Sequence, residues 1–222
     1  MVEELRTELH PEVRQLMDDK RKRGETVGSG QLSVAGARRE QRKGMERVGW
    51  LREPEPVGNV RQYWIGVDGG EIPIRIYTPD GEGPFPILLW IHGGGWVRDS
   101  IDGNDPICRT LTNDAECAVV SVGYRLAPEH PFPTGLEDCY AALEWIAEHP
   151  EHAPGHPDRL AVGGTSARGN LTIPLSLFAR DRGGPKIARQ LHLVPITGPP
   201  RAPDLSEEHS YGYRRSRVAL AR

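Results

Sequence analysis

Two short apolar runs, Ile87 to Ile91 and Ala118 to Val122, constrain this chain more than anything else in it, and Leu160 to Val162 and Leu191 to Ile196 read as two further short strands. A strand that is continuously apolar, rather than alternating, needs cover on both faces, and strands interleaved with helices obtain it by parallel crossovers. Helical character falls between the runs. It is expected at Cys108 to Asn113, at Leu136 to His149, where Leu136, Tyr140, Leu143 and Ile146 recur at helical spacing, and at Asn170 to Arg180. Upstream, Tyr63 to Val67 and Ile72 to Tyr77 flank Asp68-Gly69-Gly70, a hairpin signal. The expected class is α/β, a mostly parallel sheet with flanking helices.

The residues before the hairpin have a different character. Residues 1–52 read as two polar helices, one carrying Val13, Leu16 and Met17 at i, i+3 and i+4, the other running from Val34 to Val48, with Gly24, Gly28 and Gly30 between them. Glu53-Pro54-Glu55-Pro56 reads as a linker. Residues 53–197 would then form the core and residues 198–222 an irregular tail.

Composition removes several function classes. With 28 basic and 31 acidic side chains the net charge is −3, which gives no electrostatic footprint for nucleic acid. Cys108, Cys117 and Cys139 are too few and too unpatterned for a disulfide framework or a zinc site. His149, His152 and His156 suggest metal spacing, but Pro150 and Pro154 interrupt any helix there, so a solvated loop is expected and no metal or other cofactor is called for. The first 25 residues are charged and lack the apolar core of a secretory leader. The longest apolar stretch, Phe85 to Ile91, is interrupted by Pro86 and falls well short of the roughly 20 residues of a membrane helix. A cytoplasmic protein without membrane or nucleic-acid partners is the expectation.

Chemistry concentrates at strand exits. His92-Gly93-Gly94-Gly95-Trp96 follows the first apolar run, and three glycines free the backbone to aim several N–H groups at one point, as a developing oxyanion requires. A plain glycine-rich turn is the alternative. Gly163-Gly164-Thr165-Ser166-Ala167-Arg168-Gly169-Asn170 spans another strand-to-helix junction, where Ser166 would be exposed as a nucleophile at the positive end of a helix. A serine helix cap is the alternative there. Tyr124-Arg125-Leu126-Ala127-Pro128-Glu129-His130-Pro131-Phe132-Pro133 follows the second run.

Together and in this order, the three segments resemble the hormone-sensitive-lipase-like family of α/β hydrolases, whose shared pattern is HGGGW, YRLAPEHPFP and GDSAGGN. The resemblance extends from about residue 8 to the end and includes N-terminal helices that the family folds over its site. It implies an α/β-hydrolase fold and a serine hydrolase acting on carboxylic esters of short to medium acyl chain. Carried over residue by residue, Ser166 resembles the nucleophile, and Gly94, Gly95 and Ala167 resemble the oxyanion donors. His92 resembles the residue bracing the glycine loop beside Gly93, while Trp96 and Tyr124 would line the pocket. Pro128 to Pro133, with Glu129, would position its loop rather than do chemistry.

The sequence departs from this pattern around the nucleophile. Thr165 stands where the family has an acid, and Arg168 stands where it has a glycine, which should force the turn to relax or shift. Pro174 falls inside the expected helix and should kink it at a cost of about 3 kcal/mol. The family's triad acid and histidine follow two further strands, which the chain as given does not reach. Asp204 and His209 stand in the right order but five residues apart in a loop, and His192 lies within a strand. The expectations are therefore a chain lacking the last two strands, very low turnover, and a Leu191 strand left as an open edge through which a homodimer could form. Two further readings stay open: an inactive relative and a non-catalytic small-molecule binder.

Overall fold

A computed structural model describes residues 10–22, 32–49, 53–166 and 169–195. Two helices come first, α1 (Pro11–Lys22) and α2 (Val34–Gly49). The hairpin β1 (Asn59–Val67) and β2 (Gly70–Thr78) follows, antiparallel, with Val67 opposite Gly70 at the turn. The remaining elements alternate: β3 (Phe85–Ile91), α3 (Asp105–Asp114), β4 (Ala118–Val122), α4 (Thr134–Glu148), β5 (Gly155–Thr165), α5 (Gly169–Asp181) and β6 (Arg189–Leu193). Among the described residues they form one sheet in the order β1-β2-β4-β3-β5-β6. Pairing is antiparallel up to β2–β4 and parallel across β4–β3–β5–β6.

Burial explains why the central runs read as continuous. On β3, Ile87, Leu89 and Ile91 join Ile74, Val120, Leu143, Ile146, Leu160 and Leu175 in the core beneath α4 and α5. Leu88 and Trp90 point the other way, to Cys108 of α3, Tyr77 and Val119. Period-two alternation is present in space but invisible in hydropathy, because both faces are covered.

One ion pair fixes the chain as it leaves β4. Asp138 in α4 is completely buried, and it accepts the Arg125 backbone N–H at 2.9 Å together with guanidinium bonds of 2.6 Å from Nη2 and 2.9 Å from Nε. Main chain and side chain of one residue thus converge on one carboxylate, in a bidentate, charge-assisted arrangement.

Several expectations need correction. The Glu53–Pro56 segment is no free linker: Glu55 accepts from Thr110 Oγ1 at 2.9 Å and Asn113 Nδ2 at 2.7 Å, while its carbonyl accepts from Arg109, all on α3. These bonds hold the Glu55 carboxyl below its ordinary range. The Leu160–Val162 strand is the middle of an eleven-residue one, and the strand expected at Leu191 to Ile196 lies earlier, at Arg189–Leu193. α5 runs through Pro174 as a thirteen-residue helix. Pro174 is its sixth residue and, having no N–H, cannot donate to the Asn170 carbonyl one turn back. The histidine stretch is not a solvated loop: His149 and His152 stack on Trp145 at 4.9 and 5.0 Å, and His156 lies within β5. Among the described residues β6 does form a sheet edge, with Leu191 and Val194 exposed, and no helix is long and apolar enough to cross a membrane. The 198–222 tail, Asp204, His209, Gly24, Gly28 and Gly30 lie outside the described residues.

Replacing Asp138 by alanine should strand the Arg125 charge and free the loop after β4. The expected loss is about 3–5 kcal/mol, measured as a lower urea midpoint with an unchanged slope.

Candidate active site

Register brings the sequence motifs together. Ile91, the last residue of β3, lies opposite Val122 of β4 and Gly164 of β5, so three strands end side by side. The segments beginning at His92, Gly123 and Thr165 therefore leave the sheet at one edge, the carboxyl end of parallel strands, where open α/β sheets place their sites. A Cβ on Gly93 would sit 3.5 Å from the Thr165 carbonyl oxygen, so the first and third segments are in contact at their start.

Each segment is bent where its neighbours require it. Ser166 has φ +61°, a left-handed conformation that is uncommon for a serine and marks a tight strand-to-helix turn between β5 and α5. The relaxation expected from Arg168 is therefore absent at Ser166 itself; Ala167 and Arg168 lie outside the described residues. In the glycine segment, Gly94, Gly95 and Trp96 take φ of +117°, +66° and +62° in succession. At Gly94 a side chain would also collide with the Arg98 carbonyl, whose own N–H closes the turn onto the Gly94 oxygen at 3.1 Å. Glycine is demanded there by both backbone angle and space.

His92 and Tyr124 form the brace under the loop. Their rings stack at 4.8 Å with an interplanar angle of 20°, His92 is almost wholly buried, and the Tyr124 hydroxyl donates to the His92 carbonyl at 3.3 Å. His92 Nδ1 lies 3.3 Å from the Gly93 carbonyl. Beside them Thr165, standing where the resembled pattern has an acid, has a buried Oγ1 without a hydrogen-bond partner among the described residues. A buried hydroxyl left in this state costs about 1–3 kcal/mol.

An apolar cleft of about 220 Å³ opens next to the glycine loop. Trp96, Tyr124, Phe132, Leu136, Leu171 and Pro174 form most of its wall, with Arg125, His130 and Asn170 as polar members. On the other side of the His92–Tyr124 stack lies a polar hollow of about 230 Å³ in which Arg75 already pairs with Asp102 at 2.7 Å.

Two positioning interactions had no local signal in the sequence. One is the Arg125–Asp138 pair. The other is Arg38 of α2, which donates from Nε to the Val97 carbonyl at 2.7 Å, from Nη1 and Nη2 to the two Glu129 oxygens at 2.8 and 2.7 Å, and from Nη2 to the Ala127 carbonyl at 3.0 Å. Glu129 thus lies in a loop-holding contact. Of the histidines, His192 is engaged at both ring nitrogens, Nδ1 with Thr172 Oγ1 at 2.7 Å and Nε2 with Gln190 Oε1 at 3.0 Å, and His149 Nδ1 donates to the Trp145 carbonyl at 2.9 Å. Among the described residues no group of three or more His, Cys, Asp or Glu side chains could hold a metal ion.

Comparison with known proteins agrees with this architecture. A family model described as the alpha/beta hydrolase fold matches residues 88–221. The chain belongs to that family, in its hormone-sensitive-lipase-like branch. It is similar to carboxylesterase NlhH of Mycobacterium tuberculosis H37Rv, at 42% identity over 64% of this chain and 45% of the relative. With carboxylic ester hydrolase LipN of the same organism the identity is 47%, over 58% of this chain and 35% of the relative. Among solved structures, the thermophilic carboxylesterase EstE1 from a metagenomic library superposes with a TM-score of 0.74 at 38% identity, covering 79% of this chain and 59% of EstE1. The ester hydrolase EH1AB1 from the metagenome of Lake Arreo gives 0.82 at 35% identity, covering 96% and 68%. The chain spans about half the length, or less, of the curated relatives it matches.

The Arg38 guanidinium holds the Glu129 carboxyl down at about 2, first through its hydrogen bonds. A depressed carboxylate stabilises the fold fully above its unfolded value near 4.5 and loses that contribution as pH falls toward 2. Because the side chain is half exposed, the contribution should be about 1 kcal/mol or less. The gap in urea midpoint between the natural chain and Glu129→Gln is expected to be constant above pH 5 and to close on acidification. A gap that does not change with pH would remove the charge from the account.

Proposed function

We propose that the chain is a carboxylic-ester hydrolase in which Ser166 is the nucleophile and the backbone N–H groups of Gly94, Gly95 and Ala167 receive the oxyanion. The observation that carries the reading is the left-handed φ of Ser166, one residue past a strand paired in register with the strand that ends in the glycine loop. Strain of this kind, about 1–3 kcal/mol, is kept where it aims a reactive group. The Ser166 oxygen would attack the ester carbonyl carbon and give its proton to solvent water, while the C=O π pair moves onto the carbonyl oxygen, where donors preorganised beside the attack point would stabilise it without reorganising. That pair then re-forms the carbonyl as the C–O bond to the leaving group breaks, the alcohol takes a proton from water, and a second water hydrolyses the acyl-serine back to Ser166 and the carboxylic acid. His92 and Tyr124 brace the donors from below. The apolar cleft beside Trp96 suits an ester of short to medium acyl chain, in keeping with relatives named for ester hydrolysis.

No general base is assigned: among the described residues His192 is engaged with Thr172 and Gln190 and His149 with the Trp145 carbonyl, and His130 lies in the cleft wall. The proposal is accordingly one of slow turnover. In the best-studied serine hydrolase, losing the histidine costs about 10⁶ in turnover and leaves roughly 10³–10⁴ over water, supplied by the oxyanion hole and binding. The cleft also supports a second reading, in which the site binds a small apolar ligand without turning it over.

With p-nitrophenyl butyrate the chain is expected to release nitrophenolate roughly 10³-fold faster than buffer, and Gly94→Ala to lower that rate roughly 10²-fold. Saturable binding of the ester with no release above buffer would replace the first reading by the second. For the nucleophile, a fluorophosphonate reagent should add its mass to the peptide containing Ser166. Label on another residue, or none above a Ser166→Ala control, overturns the assignment.

A further inference from the structure

Three consecutive residues with left-handed φ, one of them a tryptophan, must be held from both ends to persist. The upstream end is secure, because β3 is paired on both sides and His92 is stacked on Tyr124. The downstream end leaves the sheet at once. It is held by the Ala127 N–H, which donates to the Trp96 carbonyl at 3.0 Å, and by Arg38, whose Nε donates to the Val97 carbonyl at 2.7 Å. The same guanidinium plane grips Glu129 and Ala127 on the neighbouring loop. Four donations from one rigid plane lock two loops to each other and to α2.

We propose that Arg38 is a positioning residue for the oxyanion loop: its hold on Val97 makes the docking of α2 set the aim of the Gly94 and Gly95 N–H groups. This rests on the reading of that loop given above. The contact is more than a surface ion pair, because only part of it is charge. Lysine could keep the attraction to Glu129 but has no planar fork with which to reach Val97, Ala127 and both carboxylate oxygens together. Nor does α2 depend on Arg38 alone for its place. Ala37 beside it is buried, and two turns further on the Met45 thioether packs against Gly103. Removing Arg38 should therefore loosen the loop while leaving the helix docked.

Hydrogen exchange followed by mass spectrometry on the full chain tests this without requiring turnover. Arg38→Lys and Arg38→Ala should each raise exchange at least tenfold in the peptide covering Gly93 to Arg98, with peptides from β3 and β4 unchanged. Glu129→Gln should raise it less, since the Val97 bond survives. With p-nitrophenyl butyrate, Arg38→Lys should lower kcat about tenfold or more and leave KM within twofold, the pattern of a lost transition-state interaction. Natural exchange in Arg38→Lys would overturn the proposal by reducing the contact to charge. A rise shared by β3 and β4 would overturn it by making the residue a general stabiliser. If exchange rises locally in Arg38→Lys but no variant hydrolyses ester, the clamp stands and it is the oxyanion reading of the loop that fails.

Discussion

The site depends on one alignment: β3 and β5 are parallel neighbours, with Ile91 opposite Gly164. A shift of one residue would turn the side chains of one strand to the opposite face, exchanging the isoleucines packed under α4 and α5 with Leu88 and Trp90 packed against α3, and neither layer has the shape to take the other's side chains. The hydrophobic division of β3, with Ile87, Leu89 and Ile91 on one face and Leu88 and Trp90 on the other, therefore fixes more than the core. It determines that the chain leaves both strands at the same level, so that Gly93 meets Thr165 and the glycine loop lies beside Ser166.

Register alone does not hold a strained loop. Ser166 is anchored directly by the strand before it and the helix after it, whereas the glycine loop and the segment from Tyr124 to Pro133 are long excursions that each need an external tie. Arg125 gives one by bringing its own N–H and its guanidinium to buried Asp138. Arg38 gives the other, from an element far away in the sequence. The two ties differ in energetic character. A buried carboxylate stripped of its partner is severely penalised, so the Arg125 contact makes a large difference to stability. A half-exposed pair contributes little to stability, and its value lies in geometry.

The contrast also marks what could be read from the sequence. The central strands were legible as apolar runs, and the helices through their period, because these are local consequences of burial. The ends of β5 and β6 were not, since they are decided by backbone partners that hydropathy does not show: β5 reaches back to Gly155, which pairs with Phe85 across a register irregularity, and β6 begins at Arg189 opposite Ala161. Pro174 was legible as a helix breaker, yet α5 continues through it. The candidate site was legible where chemistry demands special backbone, at Gly94, Gly95 and Ser166. It was not legible where one ordinary charged side chain does the work. Arg38 lies in a helix with several other arginines, and its role comes from what α2 rests on. His149 and His152 failed in the opposite sense, for Pro150 and Pro154 suggested a solvated loop while Trp145 supplied a surface on which to stack.

On the proposed reading, the site has two separable parts. Orienting a nucleophile and preparing donors for an oxyanion are properties of backbone conformation, and on that reading they rest on a sheet register, two tight turns and two arginine clamps. Proton transfer is a property of one side chain with an unoccupied nitrogen within hydrogen-bond reach. Because electrostatic preorganisation needs no proton transfer to exist, the first part can be complete whatever supplies the second. The Thr165 hydroxyl, buried and without a hydrogen-bond partner among the described residues, belongs to the residue that precedes Ser166 and touches Gly93. A polar side chain there that found a partner would tie the loops at the one point where they already touch, and so stiffen the donors and the nucleophile together.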